Sequence, residues 1–286
     1  MGKVCMDTNS PEWYCESSAE QSIKDTENFS EYVLNKNNEL VIPIITPRFA
    51  PSCTSDLLHG LSKLAIRLDL PIQTHLAENK EEIKWAKQLF PDCSTYTDIY
   101  FKHGLLNDKT ILAHCVYLDE DELSMIKKCR SGISHCPNSN ISLQSGLMCV
   151  RDLLNRNINV SLGTDVAGGY SSSILDAIRN CISVSKIYSF AVKKEFAALT
   201  VAEAFYLATM GGAKVLNLTD KIGNFDVGKD FDALVVDFST GNTFDYFDNH
   251  LSEISLEEIF EKFIYLGDDR NILDVFVKGK LVYTCK

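Results

Sequence analysis

The chain has 286 residues, a hydrophobic content of 45% and a formal net charge of −11 at pH 7. This length allows one large domain, or one domain with a smaller one attached. The acidic balance argues against nucleic-acid binding and suits a soluble protein with a small-molecule substrate. No apolar run reaches the roughly 18 residues that suggest a membrane span. The ten cysteines are scattered without a CxxC pair, which favours free thiols in a reducing cytosol.

Short apolar runs rich in Val, Ile and Leu recur in the first part of the chain, and longer helix-patterned segments separate them. The runs are unbroken rather than alternating, which is typical of strands buried on both faces of a sheet. Strands that alternate with helices predict a parallel α/β fold. The six predicted strands are GKVCMD at 2–7, LVIPIIT at 40–46, LPIQTHL at 70–76, TILAHCVYL at 110–118, SGISHC at 131–136 and INVSLGTDV at 158–166.

Helical spacing of the apolar positions fills the intervals, for example over 18–36, 53–70 and 78–90. Six strands at this spacing suit a (β/α)8 barrel in which eight strands close on themselves, so two strands are missing. We therefore predict an incomplete barrel, with six of its eight strands, over residues 1–218.

The pattern changes after residue 218. The segments KIGNFDVGKDFDALVVD and ILDVFVKGKLVY predict short strands with glycine at the bends. Residues 240–254 lie between them and are predicted to form a loop. We interpret residues 219–286 as the C-terminal part of a small β domain together with terminal elements.

Almost every predicted strand ends in a polar, reactive side chain. A single histidine after a strand is more often a hydrogen-bonded structural residue, but five such strand ends in a row are hard to explain by solvation. In parallel barrels, catalytic groups lie at the carboxyl ends of the strands. The second to sixth strands end, in chain order, at Arg48, His75, His114, His135 and Asp165.

Histidine together with aspartate suits a divalent metal such as zinc, which takes imidazole nitrogen and carboxylate oxygen. Water bound to zinc loses its proton near neutral pH and becomes a nucleophile. Glu78 follows His75 in the stretch QTHLAEN and has two interpretations. It could take a proton from such a water, or it could be an acid that favours the dipole of the next helix. The residues alone leave both open.

At this point several segments resemble a known family. TPRFAPSC, THLAEN, LAHCVYL, HCPNSNISLQSG and LATMGGAKVLNL are similar to the amidohydrolase superfamily, and TPRF, GTDVAGGYS and YLGDDRNI resemble its guanine-deaminating members. The resemblance implies a (β/α)8 TIM barrel of amidohydrolase type, here lacking its first two strands and running from the third to the eighth, plus part of a small β-sandwich domain at the C-terminus. It also implies zinc-dependent hydrolytic deamination of guanine to xanthine and ammonia, by a cytoplasmic homodimer without nucleic-acid or membrane partners.

The resemblance also implies a role for each strand-end residue. His75 and Asp165 look like metal ligands, and Asp165 is similar to the residue that also bonds the nucleophilic water. His114 looks like the histidine that positions the water or the substrate. Glu78 is similar to the proton shuttle of the family.

Substrate contacts follow in the same way. Arg48 resembles the arginine that hydrogen-bonds the purine, and Phe49 the aromatic residue that packs on its ring, while His75 and Asp165 also contact the substrate. The chemistry of these side chains suits a purine, because a guanidinium presents several hydrogen-bond donors and an aromatic ring presents a flat face. For His135 we expect a structural or pocket-edge role rather than metal binding.

Three further histidines are expected at the surface. His59 falls within an amphipathic helix, and His103 and His250 fall in polar stretches. Free thiols such as Cys115 and Cys136, next to the strand ends, are expected to be buried packing residues rather than ligands.

The chain departs from the family in one respect, because it contains no His-x-His. In the family, that motif lies on the first barrel strand and supplies metal ligands. We therefore expect an N-terminally truncated chain that is inactive or impaired. Two alternatives remain open, namely a related amidohydrolase that acts on another heterocycle, and a non-catalytic dimer subunit or scaffold.

Overall fold

Six parallel strands form the main sheet, in the order in which they occur along the chain. The computed structural model describes residues 1–238 and 254–285. All six strands predicted from unbroken apolar runs are present, which confirms the parallel α/β class. The strands are β1 (Gly2–Cys5), β2 (Ile44–Pro47), β3 (Ile72–Leu76), β4 (Thr110–His114), β5 (Gly132–His135) and β6 (Val160–Leu162).

Helices connect these strands and cover the sheet. The helical spacing over 18–36, 53–70 and 78–90 is confirmed, since α1, α2 and α3 lie there. None of the helices in the described part of the chain has both the length and the hydrophobicity needed to cross a bilayer. The helices are α1 (Ala19–Leu34), α2 (Ser55–Leu68), α3 (Lys80–Leu89), α4 (Tyr96–Lys102), α5 (Glu120–Cys129), α6 (Pro137–Ser142), α7 (Val150–Asn155), α8 (Ile174–Ile187), α9 (Val201–Tyr206), α10 (Gly212–Val215) and α11 (Leu256–Leu266).

Helix α2 shows how the sequence builds the core. Its first turn is capped by the side chain of Thr54, which accepts a hydrogen bond from the backbone N–H of Leu57. Leu57, Leu58 and Leu61 are fully buried, because this spacing places them on one face of the helix. That face packs into the hydrophobic core shared with the strands.

Three helices escaped the sequence interpretation, namely α4, α6 and α11. Helices α4 and α6 have seven and six residues, too few for an amphipathic period to be recognised. Helix α4 is also buried from Tyr96 to Tyr100, so it lacks the polar face by which a surface helix is identified.

A second, antiparallel sheet lies in the C-terminal part and has three strands, β7 (Ala233–Val236), β8 (Ile272–Val277) and β9 (Lys280–Thr284). Gly279 connects β8 to β9 with φ +74, a conformation that favours glycine, so the predicted bend is confirmed. The loop predicted over 240–254 falls outside the described residues except at its last position. The division of the chain near residue 218 stays a prediction.

One buried hydroxyl ties three elements together beneath β3. The Tyr100 hydroxyl accepts hydrogen bonds from the backbone N–H of Ala50 at 2.9 Å and from the Thr74 hydroxyl at 3.0 Å. It donates to the carbonyl oxygen of His75 at 2.8 Å. Burial raises the pKa of Tyr100, so the hydroxyl keeps the proton that it donates. Helix α4 thereby holds the strand that carries His75.

We expect Tyr100→Phe to lower the free energy of unfolding by about 1–3 kcal/mol, because it leaves buried polar partners without a hydrogen bond. Urea denaturation followed by circular dichroism measures the difference. Tyr32→Phe is the matched control, since the Tyr32 side chain is 61% exposed. Equal stability of the two variants would contradict a stabilising role of the Tyr100 hydroxyl.

Candidate metal and active site

Three of the predicted strand-end residues come together in space. His75 lies in β3, His114 ends β4, and Asp165 follows β6. One ligand atom from each lies within 4.8 Å of the other two, the only such group of three in the described ranges. The pairing register explains this arrangement, because Leu76 pairs with His114 and places the ends of β3 and β4 side by side. The cluster is therefore a candidate metal site.

The backbone turns sharply where these strands end. His114 and Asp165 have φ values of 70° and 47°, and Cys115 and Ala77 have 53° and 50°. Non-glycine residues rarely adopt this left-handed conformation, and such residues concentrate at functional sites. The turns follow the strand ends at which the candidate ligands lie.

Both imidazole rings are oriented by a hydrogen bond on the side away from the cluster. His75 donates from Nδ1 to the backbone carbonyl of Arg48, and His114 bonds through Nδ1 to the side chain of Asn140. The two rings stack with centroids 5.1 Å apart. Burial lowers the pKa of His75, although the bond to Arg48 acts in the opposite direction. A neutral ring with a free Nε2 is the form that binds a metal ion.

Glu78 faces the cluster rather than the helix that follows it. Its Oε1 accepts a hydrogen bond of 2.7 Å from the Ser145 hydroxyl, and its Oε2 lies 3.7 Å from Nε2 of His114. The acid that serves the first turn of α3 is Glu82, which forms a capping box with Asn79. This geometry favours the proton-transfer interpretation of Glu78 over the helix-dipole one.

A cavity of about 550 Å³ opens beside the cluster. Arg48, Phe49, His75 and Glu78 line it together with Trp85, which the sequence analysis did not identify. The rings of Phe49 and Trp85 meet edge to face at 6.0 Å. Trp85 escaped notice because its place on α3 shows no motif, and only the packing of α3 against the cavity reveals it.

Arg48 lies over Phe49, with the guanidinium carbon 5.4 Å from the ring centroid. Its Nη1 lies 3.5 Å from the sulfur of Met6, a weak acceptor. Arg48 forms no ion pair with any residue that the structure describes. Its donors can therefore serve a bound molecule in the cavity.

His135 ends β5 and is fully buried. Neither ring nitrogen has a hydrogen-bond partner within residues 1–238 and 254–285. Burial, together with the nearby His114, lowers the pKa of His135 to about 3. The ring is therefore neutral at physiological pH, and its expected structural or pocket-edge role stays a prediction.

We expect His135 to make the fold sensitive to acid. Its folded-state pKa is depressed, so the unfolded chain binds a proton more readily and stability falls as the pH drops below about 6.5. The free energy of unfolding of both proteins should fall between pH 7 and pH 4. The fall should be about 3 kcal/mol smaller for His135→Phe than for the unsubstituted chain. Urea denaturation at several pH values measures this.

The control is His59→Phe, because His59 is exposed and its variant should follow the unsubstituted chain. Parallel stability curves for His135→Phe and the unsubstituted chain would show that His135 does not carry this acid sensitivity.

The structure corrects one expectation about the remaining histidines. His59 is exposed, as predicted, but His103 is buried. The prediction for His103 was wrong because α4 was not recognised, and His103 lies at its C-terminal end. Its Nδ1 donates to the carbonyl oxygen of Ile99 at 2.7 Å, and Nε2 accepts from the Ser55 hydroxyl at 2.7 Å. His250 lies outside the described residues.

The chain belongs to the amidohydrolase family, whose model matches residues 1–282. It is 49% identical over 283 residues to the guanine deaminase of Dictyostelium discoideum and 48% identical over 284 residues to that of Rattus norvegicus. Each alignment covers 99% of this chain and 62% of the relative. The chain thus spans less than two thirds of the length of these curated relatives.

A solved structure gives the same likeness in three dimensions. The crystal structure of guanine deaminase from C. acetobutylicum, with bound guanine in the active site, has a TM-score of 0.90 and 40% sequence identity. The match covers 99% of this chain and 64% of that one. The predicted barrel type and the resemblance to guanine-deaminating amidohydrolases are therefore confirmed. The roles of the individual site residues stay predictions.

Proposed function

We propose that this chain carries the catalytic residues of a zinc-dependent enzyme that hydrolyses guanine to xanthine and ammonia. The observation that supports the proposal best is the cluster of His75, His114 and Asp165, with Glu78 beside it at the edge of a cavity. The similarity to guanine deaminases points to the same reaction.

The donor atoms fit zinc. Two imidazole nitrogens and one carboxylate oxygen are ligands that zinc prefers, and catalytic zinc sites commonly have three protein ligands. His75 and Asp165 would hold the ion, and Nε2 of His114 lies close enough to join them. Zinc, when bound, would lower the pKa of a water molecule and so allow it to act as a nucleophile at neutral pH.

The carboxylate of Glu78 would move the protons. It takes a proton from the attacking water and delivers it to a ring nitrogen of the purine, and the water oxygen bonds to the carbon that carries the amino group. The C–N bond then breaks, ammonia leaves with a second proton, and xanthine remains. Ser145 keeps Glu78 in place through Oε1, so Oε2 is the atom directed at the cluster.

Arg48 and Phe49 would select the substrate. The guanidinium donates to acceptors of the purine, and the ring of Phe49 offers a flat face that Trp85 extends at the rim of the cavity. These contacts favour a purine over the other heterocycles on which amidohydrolases act. A non-catalytic dimer subunit or scaffold remains the alternative outside enzyme chemistry.

The impaired activity expected from the absent His-x-His is also a proposal. It assumes that only His75 and Asp165 hold the ion, with His114 as a positioning group. If His114 is a ligand, the donor set reaches the usual three. Metal analysis of the purified 286-residue chain separates the two cases, because zinc that survives dialysis at one ion per chain would contradict the impairment.

We further propose that the enzyme acts in purine catabolism, in the cytoplasm and as a homodimer. All ten cysteines are unpaired, which suits a reducing compartment. The homodimer rests on the resemblance to the family alone.

The proton-transfer role of Glu78 is tested in a chimera, in which this chain replaces the matching part of the Dictyostelium discoideum relative. We expect Glu78→Gln to lower kcat for xanthine formation by about 100- to 10,000-fold, because the amide cannot accept the proton. Zinc content should not change.

Glu81→Gln is the matched control, since Glu81 is an exposed neighbour that pairs with Lys84. Xanthine formation by Glu78→Gln at the rate of this control would exclude Glu78 as the proton carrier. A folded, zinc-loaded chimera that forms no xanthine would contradict the proposed function itself.

Arg48 provides the test of substrate class. In the same chimera, we expect Arg48→Ala to reduce kcat/KM for guanine by about 10- to 100-fold, because hydrogen bonds from a charged donor are lost. Arg67→Ala is the control, since Arg67 forms a surface pair with Glu27. Unchanged guanine turnover in Arg48→Ala would show that Arg48 does not bind the purine and would remove this support for guanine over another heterocycle.

A further inference from the structure

His114 makes one hydrogen bond through its ring. Its Nδ1 lies 2.9 Å from Oδ1 of Asn140. Its Nε2 faces Oε2 of Glu78 at 3.7 Å and Oδ2 of Asp165 at 3.8 Å, and both distances exceed a hydrogen bond. Because the ring is only 1% exposed, solvent does not compete for Nδ1. Asn140 therefore determines which nitrogen of His114 carries the hydrogen.

The Asn140 side chain is well placed for this task. It is 1% exposed, and its backbone is fixed by a bond from its own N–H to the carbonyl oxygen of Cys136 at 3.0 Å. The backbone carbonyl oxygen of Asn140 accepts a hydrogen bond from the N–H of Ser145 at 2.8 Å. Within the described residues, Nδ2 has no partner, so the bond to His114 is the side chain's only hydrogen bond.

We propose that Asn140 is a positioning residue that keeps His114 in the tautomer with hydrogen on Nδ1. An amide oxygen only accepts hydrogen bonds, so Nδ1 donates to it, and in the neutral ring Nε2 then carries a lone pair. That lone pair points into the space shared with Asp165 and His75. This inference deepens the proposed function and rests on it, because it makes His114 a ligand or a proton acceptor and excludes donation from Nε2.

The opposite orientation of the Asn140 amide would give Nε2 of His114 the opposite role in hydrogen bonding. If the amide of Asn140 were turned, Nδ2 would donate to Nδ1, and the hydrogen of His114 would lie on Nε2. His114 would then be a donor towards Glu78 and Asp165 and could not bind a metal ion without losing that hydrogen. The two tautomers are therefore distinguishable by measurement and have different consequences for the site.

The tautomer is measured by long-range proton–nitrogen NMR on the metal-free, nitrogen-15-labelled 286-residue chain at about pH 8, above the pKa of about 6.5 of free imidazole side chains. The His114 signals are assigned by their loss in His114→Gln. We expect hydrogen on Nδ1 in the unsubstituted chain and a mixture of tautomers in Asn140→Ala. Asn140→Asp retains an acceptor oxygen and should restore the Nδ1 form.

Asn138→Ala is the matched control. Asn138 is equally buried and lies in the same helix, but it has no hydrogen bond with His114. Its Nδ2 donates to Asp176, and its Oδ1 accepts from the Ser142 hydroxyl and the N–H of Tyr170. This variant should leave the tautomer of His114 unchanged, which separates a specific effect of Asn140 from a general loss of packing. Circular dichroism confirms that each variant is folded.

Zinc titration gives a second readout. Loss of a hydrogen bond that orients a histidine ligand typically reduces metal affinity by about 10- to 100-fold, so Asn140→Ala should bind zinc more weakly by that factor. Hydrogen on Nε2 in the unsubstituted chain, or an unchanged tautomer in Asn140→Ala, would overturn the inference. Absent guanine turnover in the chimera, despite the expected tautomer, would count against the proposed function alone.

Discussion

The common direction of the six strands is the constraint on which the site depends. Parallel strands bring all their carboxyl ends to one edge, so residues far apart in the chain meet there. The pairing of β3 with β4 is equally important, because Leu76 lies opposite His114 and brings the ends of the two strands together. His114 itself has left-handed backbone geometry, and its ring stacks on that of His75. A shift of one residue would turn these side chains to the other face of the sheet. The candidate metal site is therefore a product of sheet geometry before it is a product of any single residue.

Contacts outside the cluster fix what the sheet brings together. The carbonyl oxygen of Arg48 accepts a hydrogen bond from Nδ1 of His75, and the Tyr100 hydroxyl donates to the backbone carbonyl of the same residue. Asn140 and Ser145, in the segment that follows β5, do the same for His114 and Glu78. Side chains that must keep a defined geometry are thus locked by packing and hydrogen bonds from neighbouring elements.

Much of this architecture could be predicted from the sequence, and the exceptions have a physical explanation. Unbroken apolar runs identified the six strands because strands buried on both faces need no polar alternation. Helices such as α4 gave no signal, since a short, fully buried helix has no polar face. Because α4 was not recognised, His103 was predicted at the surface, although it lies buried at the C-terminal end of that helix. The importance of Asn140 and Ser145 depends on which residues the fold brings to them, and spacing along the chain does not show this.

In the proposed site, His114 determines how many metal ligands the cluster offers. With His75 and Asp165 alone, a zinc ion would lack the ligands that hold its geometry, and the chain would depend on residues beyond those described. With hydrogen on Nδ1, His114 presents a third donor from within the same cluster, the number that catalytic zinc sites commonly use. Glu78 then remains free for proton transfer, because its Oε1 is bound by Ser145 and its Oε2 stays beyond hydrogen-bond distance of His114. Under the proposed function, the segment after β5 would therefore separate two tasks, binding an ion and moving a proton, by fixing one side chain for each.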